Sequence, residues 1–370
     1  MKKLIAFLPA FLLSIVAIAQ VKNSRPQTPV PPFDYYADSV EYDNEDKTVH
    51  LAGTFTYPKG MGPFITLVMI TGSGQEDRDE TIFNHKPFAV IADYLTKLGF
   101  AVLRVDDRGR GKSVGEVLTA TSLDFADDVV ASLNYISRRK EVNKNKIGVI
   151  GHSEGGFIAP IVYTKWRRLA FIISLAGTGV SGKEILLKQQ TDPLKGLVSS
   201  AAFDAFYDLT DKTLTILHDH PSDPDSTILA AVRTTYNQWK SALPDSVLKP
   251  LHADMADADA YAGQIKQELI PWLKYFIATE PSDFWSQVKC PVLAINGEKD
   301  IQVDAVQNIT AINSALKKAG NNKVVVRIIP GLNHLFQTCT LCTVPEYTKL
   351  EETFSPVALK IIGDWLQTLK

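Results

Sequence analysis

The sequence predicts an α/β fold: a doubly wound, mostly parallel sheet with antiparallel N-terminal strands and a helical cap insertion. Three observations lead there. Short apolar or β-branched runs recur at 64–70, 101–105, 147–150, 171–175, 292–295 and 324–329, as in strands buried on both faces. Helix-period stretches alternate with them at 86–98, 123–137, 155–165, 303–319 and 356–369. The alternation breaks once, over 182–285, where helical spacing and many aromatic residues replace the strand signal.

In chain order, residues 1–19 read as a signal peptide. Lys2 and Lys3 precede an apolar run that ends in Ala17-Ile18-Ala19, ahead of Gln20. That run is shorter than the roughly 20 residues that span a bilayer. The expectation is therefore cleavage, no stable membrane anchor, and a secreted or periplasmic mature chain. Residues 20–32, rich in proline and polar side chains, read as a flexible linker. Packing starts near Phe33, and runs at 39–42 and 48–57 flank Asp43-Asn44-Glu45-Asp46 as two antiparallel strands. The strand pattern resumes at Cys290 with no flexible linker, so 182–285 reads as an insertion into one fold built from 33–181 and 286–370.

Composition narrows the function. With 39 basic against 41 acidic residues the chain has no electrostatic footprint for a nucleic acid. Three cysteines, Cys290, Cys339 and Cys342, are too few for a disulfide framework, so the core must hold the fold. Cys339 and Cys342 leave two readings open, a local bridge or two free thiols. Gly72-Ser73-Gly74 fails as a dinucleotide fingerprint because its third glycine position is Asp77. Gly111-Lys112-Ser113 fails as a phosphate loop because its first glycine position is Asp106. His218-Asp219-His220, beside Pro221 and Asp223, reads as a polar loop rather than a metal site. Neither a cofactor nor a metal is expected.

The chemistry gathers at Gly151-His152-Ser153-Glu154-Gly155, which follows a strand and opens a helix. That context is a nucleophile elbow, whose glycines let strand and helix backbones approach closely. Ser153 is the candidate nucleophile. A serine hydroxyl is weak without a base that a carboxylate orients. Of seven histidines, His334 follows the last strand, and Asp300 follows the strand before it. The order Ser153, Asp300, His334 is the one α/β-hydrolases use, with Glu298 and Asp304 as weaker alternatives to Asp300. Backbone donors for an oxyanion map to Glu154, after the nucleophile, and to Ser73 in the glycine loop, with Gly74 or Gln75 as substitutes.

With these residues assigned, the chain resembles bacterial carboxylesterases of the α/β-hydrolase superfamily, some relatives of which carry serine aminopeptidase or acylaminoacyl-peptidase labels. The likeness runs from about Phe64 onward. It rests on the loop from Gly72 to Asp79, His85-Lys86-Pro87-Phe88, the stretch from Asp107 to Ser113, the elbow, Gly297-Glu298-Lys299-Asp300 and Asn333-His334-Leu335-Phe336-Gln337. What it implies is the α/β-hydrolase fold and cleavage of a small-molecule ester through an acyl-serine: Ser153 attacks, His334 shuttles the proton and Asp300 orients His334. It also implies that Arg78, Asp79, Asp107 and Arg108 brace the loops around the elbow. The alternatives are a serine peptidase or amidase, and a non-catalytic binding protein on the same scaffold. Natural substrate and oligomeric state are not legible.

Overall fold

The computed structural model describes residues 25–370. The expected signal peptide and the start of the linker lie outside the described residues. β1 (Tyr35–Asp43) and β2 (His50–Pro58) form the antiparallel pair, in register from Tyr35 opposite Pro58 to Asp43 opposite His50. β3 (Phe64–Ile70), β4 (Ala101–Val105), β5 (Val142–His152), β6 (Phe171–Leu175), β7 (Val292–Gly297) and β8 (Val324–Ile329) follow. One sheet results, in the order β1-β2-β4-β3-β5-β6-β7-β8, antiparallel through β2–β4 and parallel from there on. This is the expected doubly wound architecture. The central strands are apolar because both their faces are covered, and all five residues of β6 are buried.

The helices on the sheet start where the chain supplies caps. α1 (Pro87–Lys97) opens on a proline, whose missing N–H costs nothing in a first turn. α2 (Ser122–Ile136) has a reciprocal capping box between Thr121 and Asp124. α3 (Glu154–Lys165) begins directly after Ser153. Leu67, Ile91, Leu95, Phe100, Phe171 and Leu293 belong to the core between sheet and helices.

Beyond β6 the chain builds a separate compact unit, Ser181–Thr279. It comprises α4 (Gly182–Thr191), α5 (Ser200–Asp219), α6 (Asp225–Ser241), α7 (Asp245–Leu248), α8 (Ala258–Lys266) and α9 (Pro271–Ala278). Its aromatic residues make its own core: Trp239 Nε1 donates to the Ala205 carbonyl at 2.7 Å, and Tyr236 stacks on Tyr261. The unit ends at Thr279 rather than at the expected residue 285. α10 (Pro281–Trp285) belongs to the sheet-bearing unit, where Trp285 is fully buried and its indole N–H reaches the Thr178 carbonyl at 3.4 Å. α11 (Ala305–Lys318), α12 (Val344–Tyr347) and α13 (Pro356–Gln367) complete that unit.

The described part of the expected linker is not a free tether. Arg25 donates to the carbonyls of Leu350, Thr348 and Phe83, and Gln27 exchanges hydrogen bonds with Thr353 and Phe354. Composition could not foresee this, because most of these partners lie more than 300 residues away in sequence. No helix among the described residues is long and apolar enough to cross a membrane.

Candidate active site

Three chain segments meet at the carboxyl ends of β5, β7 and β8. β5 stops at His152, and Ser153 turns the chain into α3 with φ 53° and ψ −118°, a strained left-handed conformation. Its N–H is held by the Leu175 carbonyl at 2.9 Å. The turn is possible only with glycine on either side. A Cβ at Gly151 would overlap the Gly155 carbonyl, and one at Gly155 would overlap the carbonyls of Ile70 and Thr71.

His334 Nε2 lies 3.1 Å from Ser153 Oγ, and His334 Nδ1 lies 2.7 Å from Asp300 Oδ2. A carboxylate only accepts, so Nδ1 carries the proton and Nε2 is left to accept the serine hydroxyl. The remaining Asp300 oxygen takes the N–H groups of Gln302 and Val303, at 2.8 and 2.9 Å. Both side chains of the His334–Asp300 pair are almost wholly buried. The two loops are laced together: Glu298 N–H donates to the Ile329 carbonyl and Lys299 N–H to the Leu332 carbonyl. The His334 turn is locked from within by reciprocal bonds between Asn333 and Gln337.

The weaker acidic alternatives stand elsewhere. Asp304 is the N-cap of α11, accepting from Gln307 N–H at 2.8 Å, and Glu298 is an exposed residue that takes the Gly331 N–H. Ser73 follows Gly72, whose absent Cβ would lie 3.5 Å from Ser153 Cβ. The Gly72 N–H is engaged by Glu80 Oε1 at 2.7 Å, so a donor from this loop has to come from Ser73 onward. Glu154 contributes the first N–H of α3, at the positive end of the helix.

The residues expected to brace these loops do so through partners of their own. Asp107 accepts from Thr71 Oγ1 at 2.6 Å and from Glu76 N–H at 2.8 Å, while Arg78 clamps Asp106 through Nε and Nη2. Arg104 pairs with Asp79, and Arg108 is bidentate on Asp128. Burial pushes Asp107 well above the usual carboxylate range. Burial, with the nearby charges of Glu80 and Asp77, raises Glu76 to about 7. Sequence reasoning missed Glu80 and gave His152 no role, yet the two make a buried contact at 3.0 Å beside the elbow.

The family model for X-Pro dipeptidyl-peptidases, the S15 family, matches residues 45–331. The chain belongs to this family. Among similar proteins, this S15 member is 28% identical to Esterase EstD of Thermotoga maritima over 244 residues, 65% of this chain and 57% of that one. It thus spans a little over half the length of that relative. Its fold matches the Pyrococcus furiosus esterase Pf2001, at 17% identity, 90% coverage of both chains and a TM-score of 0.51. It also matches Est1E of Butyrivibrio proteoclasticus, at 15% identity, coverage of 89% and 98%, and a TM-score of 0.50. The fold is that of the α/β-hydrolases.

Proposed function

We propose that this chain is an exported serine hydrolase that cleaves small carboxylic esters through an acyl-serine intermediate. The observation that carries the reading is the unbroken hydrogen-bond chain from Ser153 through His334 to Asp300. Ser153 Oγ attacks the ester carbonyl as His334 Nε2 takes its proton, and the imidazolium passes that proton to the departing alkoxide. A water then repeats the sequence on the acyl-serine, releasing the acid and restoring Ser153. Asp300 keeps the imidazole in the right tautomer and offsets its transient charge. The backbone N–H groups of Ser73 and Glu154 stabilise the oxyanion. Residues 1–19 direct export, so the mature chain is expected to begin at Gln20.

Ser153→Ala is the test. Turnover of p-nitrophenyl acetate should drop by about 10⁴-fold or more with the circular dichroism unchanged, and a fluorophosphonate should no longer label the protein. Retained turnover removes Ser153 from the chemistry, and an unlabelled, inactive wild type favours a binding protein on this scaffold. The description of the matched family, X-Pro dipeptidyl-peptidase, favours a second reading as a serine peptidase, since the same triad opens amides. Parallel kinetics on acyl esters and Xaa-Pro anilides separate the two, and a higher kcat/KM on the anilides would reverse the order.

A further inference from the structure

Two buried ionisable side chains beside the elbow have no part in the reaction just described. Glu80 Oε1 takes the Gly72 N–H at 2.7 Å and faces His152 Nδ1 at 3.0 Å, and His152 Nε2 faces the His334 carbonyl oxygen at 3.0 Å. Their side chains are only 7% and 8% exposed. Around them Phe88, Ile91, Leu175, Leu335 and Phe354 line a partly open hollow of about 10 Å³. Glu80 is aimed inward from a left-handed backbone, φ 51°, a conformation that a non-glycine residue adopts only at a cost in free energy.

The acceptors dictate the protons. A carbonyl has none to give, so His152 Nε2 is protonated. At Oε1 a Glu80 carboxylate can only accept, from the Gly72 N–H and from His152 Nδ1 alike, so with that carboxylate Nδ1 carries the second proton. His152 is then an imidazolium against a carboxylate. Burial alone would discharge it, but the Glu80 carboxylate and its hydrogen bond outweigh that penalty and raise the histidine above its ordinary range.

We propose that Glu80 and His152 are positioning residues, a buried ion pair that ties the turn presenting His334 to the glycine loop passing Ser153. The pair fixes the base through its backbone on one side and the loop of the oxyanion donor on the other, with both bonds anchored next to the nucleophile. Glutamine cannot replace Glu80. If its oxygen takes the position of Oε1, a neutral His152 has one proton for two acceptors; if its nitrogen does, it faces the Gly72 N–H.

The role rests on the esterase reading, and two measurements on the full chain keep them apart. The first is spectroscopic and independent of turnover. In ¹⁵N-histidine spectra at pH 7.5, the His152 signals, assigned by their loss in His152→Gln, should report protons on both ring nitrogens. A singly protonated His152 overturns the proposal even if the enzyme is fully active, and this test needs no Glu80 variant to fold. The second is kinetic: Glu80→Gln should lower kcat on p-nitrophenyl acetate by about 30-fold or more while KM stays within about threefold. A kcat within threefold of wild type overturns the proposal. If the wild type proves inert on esters, the esterase reading falls, and the ring protonation still decides whether the ion pair exists.

Discussion

Asp300 divides its two carboxylate oxygens between different duties, one for the His334 ring and one for the backbone of Gln302 and Val303. An amide cannot serve both. If an asparagine in its place turned the NH₂ toward His334, Nδ1 would become the acceptor and Nε2 would carry the proton, the wrong tautomer for taking one from Ser153. The opposite flip would set the NH₂ against two backbone N–H groups. Asp300→Asn should therefore lower kcat by about 10⁴-fold with the fold retained, as measured by ester turnover and circular dichroism. Gly155→Ala acts differently at the same elbow: its methyl would meet the Ile70 and Thr71 carbonyls, and β3 would have to move. Its outcome should be a loss of about 1–3 kcal/mol in chemical denaturation together with activity, since overpacking against backbone has no cheap relief. That Ser153, Asp300 and His334 come together was legible in the sequence because each lies in the turn that follows its own strand, so topology brings them to one edge. Glu80 was not. Its contact with His152 crosses 72 residues and depends on a left-handed turn that no hydrophobic pattern records.

At the scale of elements, the strands that match their expected bounds are those whose apolar or β-branched run is broken by at most one polar residue, such as β3, β4, β6 and β8. β5 starts earlier than its apolar run predicts, because its first half carries Asn143, Lys144 and Asn145, largely exposed and without apolar signal. β1 exceeds its expected bounds for the same reason: only Tyr35, Val40 and Tyr42 are buried in it. The stretch beyond β8 was legible only as the carrier of His334. It is a knot of short turns: Leu332 pairs with Thr338, a disulfide joins Cys339 to Cys342, and Glu346 takes the N–H groups of Thr340, Leu341 and Cys342. Spacing could not decide between bridge and thiols, since that choice depends on how the loop is folded. The bridge closes a very short loop, for which chain entropy gives about 2 kcal/mol at most. Because Asn333 and Gln337 hold the His334 turn without its help, the double replacement of Cys339 and Cys342 by serine should lower stability by no more than that. Ester kcat should stay within about threefold, and a larger loss would mean that the bridge, and not the Asn333–Gln337 pair, positions His334.

For the whole molecule, one buried and one half-buried group set opposing slopes in its stability against pH. Burial lowers His85 from 6.5 to about 4, where it hydrogen-bonds Thr353 Oγ1 and the Tyr347 carbonyl. Its folded-state value is depressed, so its contribution is present above pH 6.5 and is lost as the pH falls through 4. Glu76 runs the other way. Its value rises from 4.5 to about 7, so the stability linked to its neutral form is present below pH 4.5 and is lost as the pH rises through 7. Thermal unfolding followed from pH 4 to 8 separates the two. Glu76→Gln, which keeps the shape and removes the charge, should raise Tm at pH 8 by about 2–4 °C and leave pH 4 unchanged. His85→Gln gives up a buried ring and lowers Tm throughout, but the decline between pH 6.5 and 4 should flatten. The slopes carry the argument, because a packing loss shifts a stability curve at every pH, whereas only a lost titration changes its steepness. A Glu76→Gln curve parallel to wild type would mean that this carboxyl ionises near its ordinary range despite its burial beside Glu80 and Asp77.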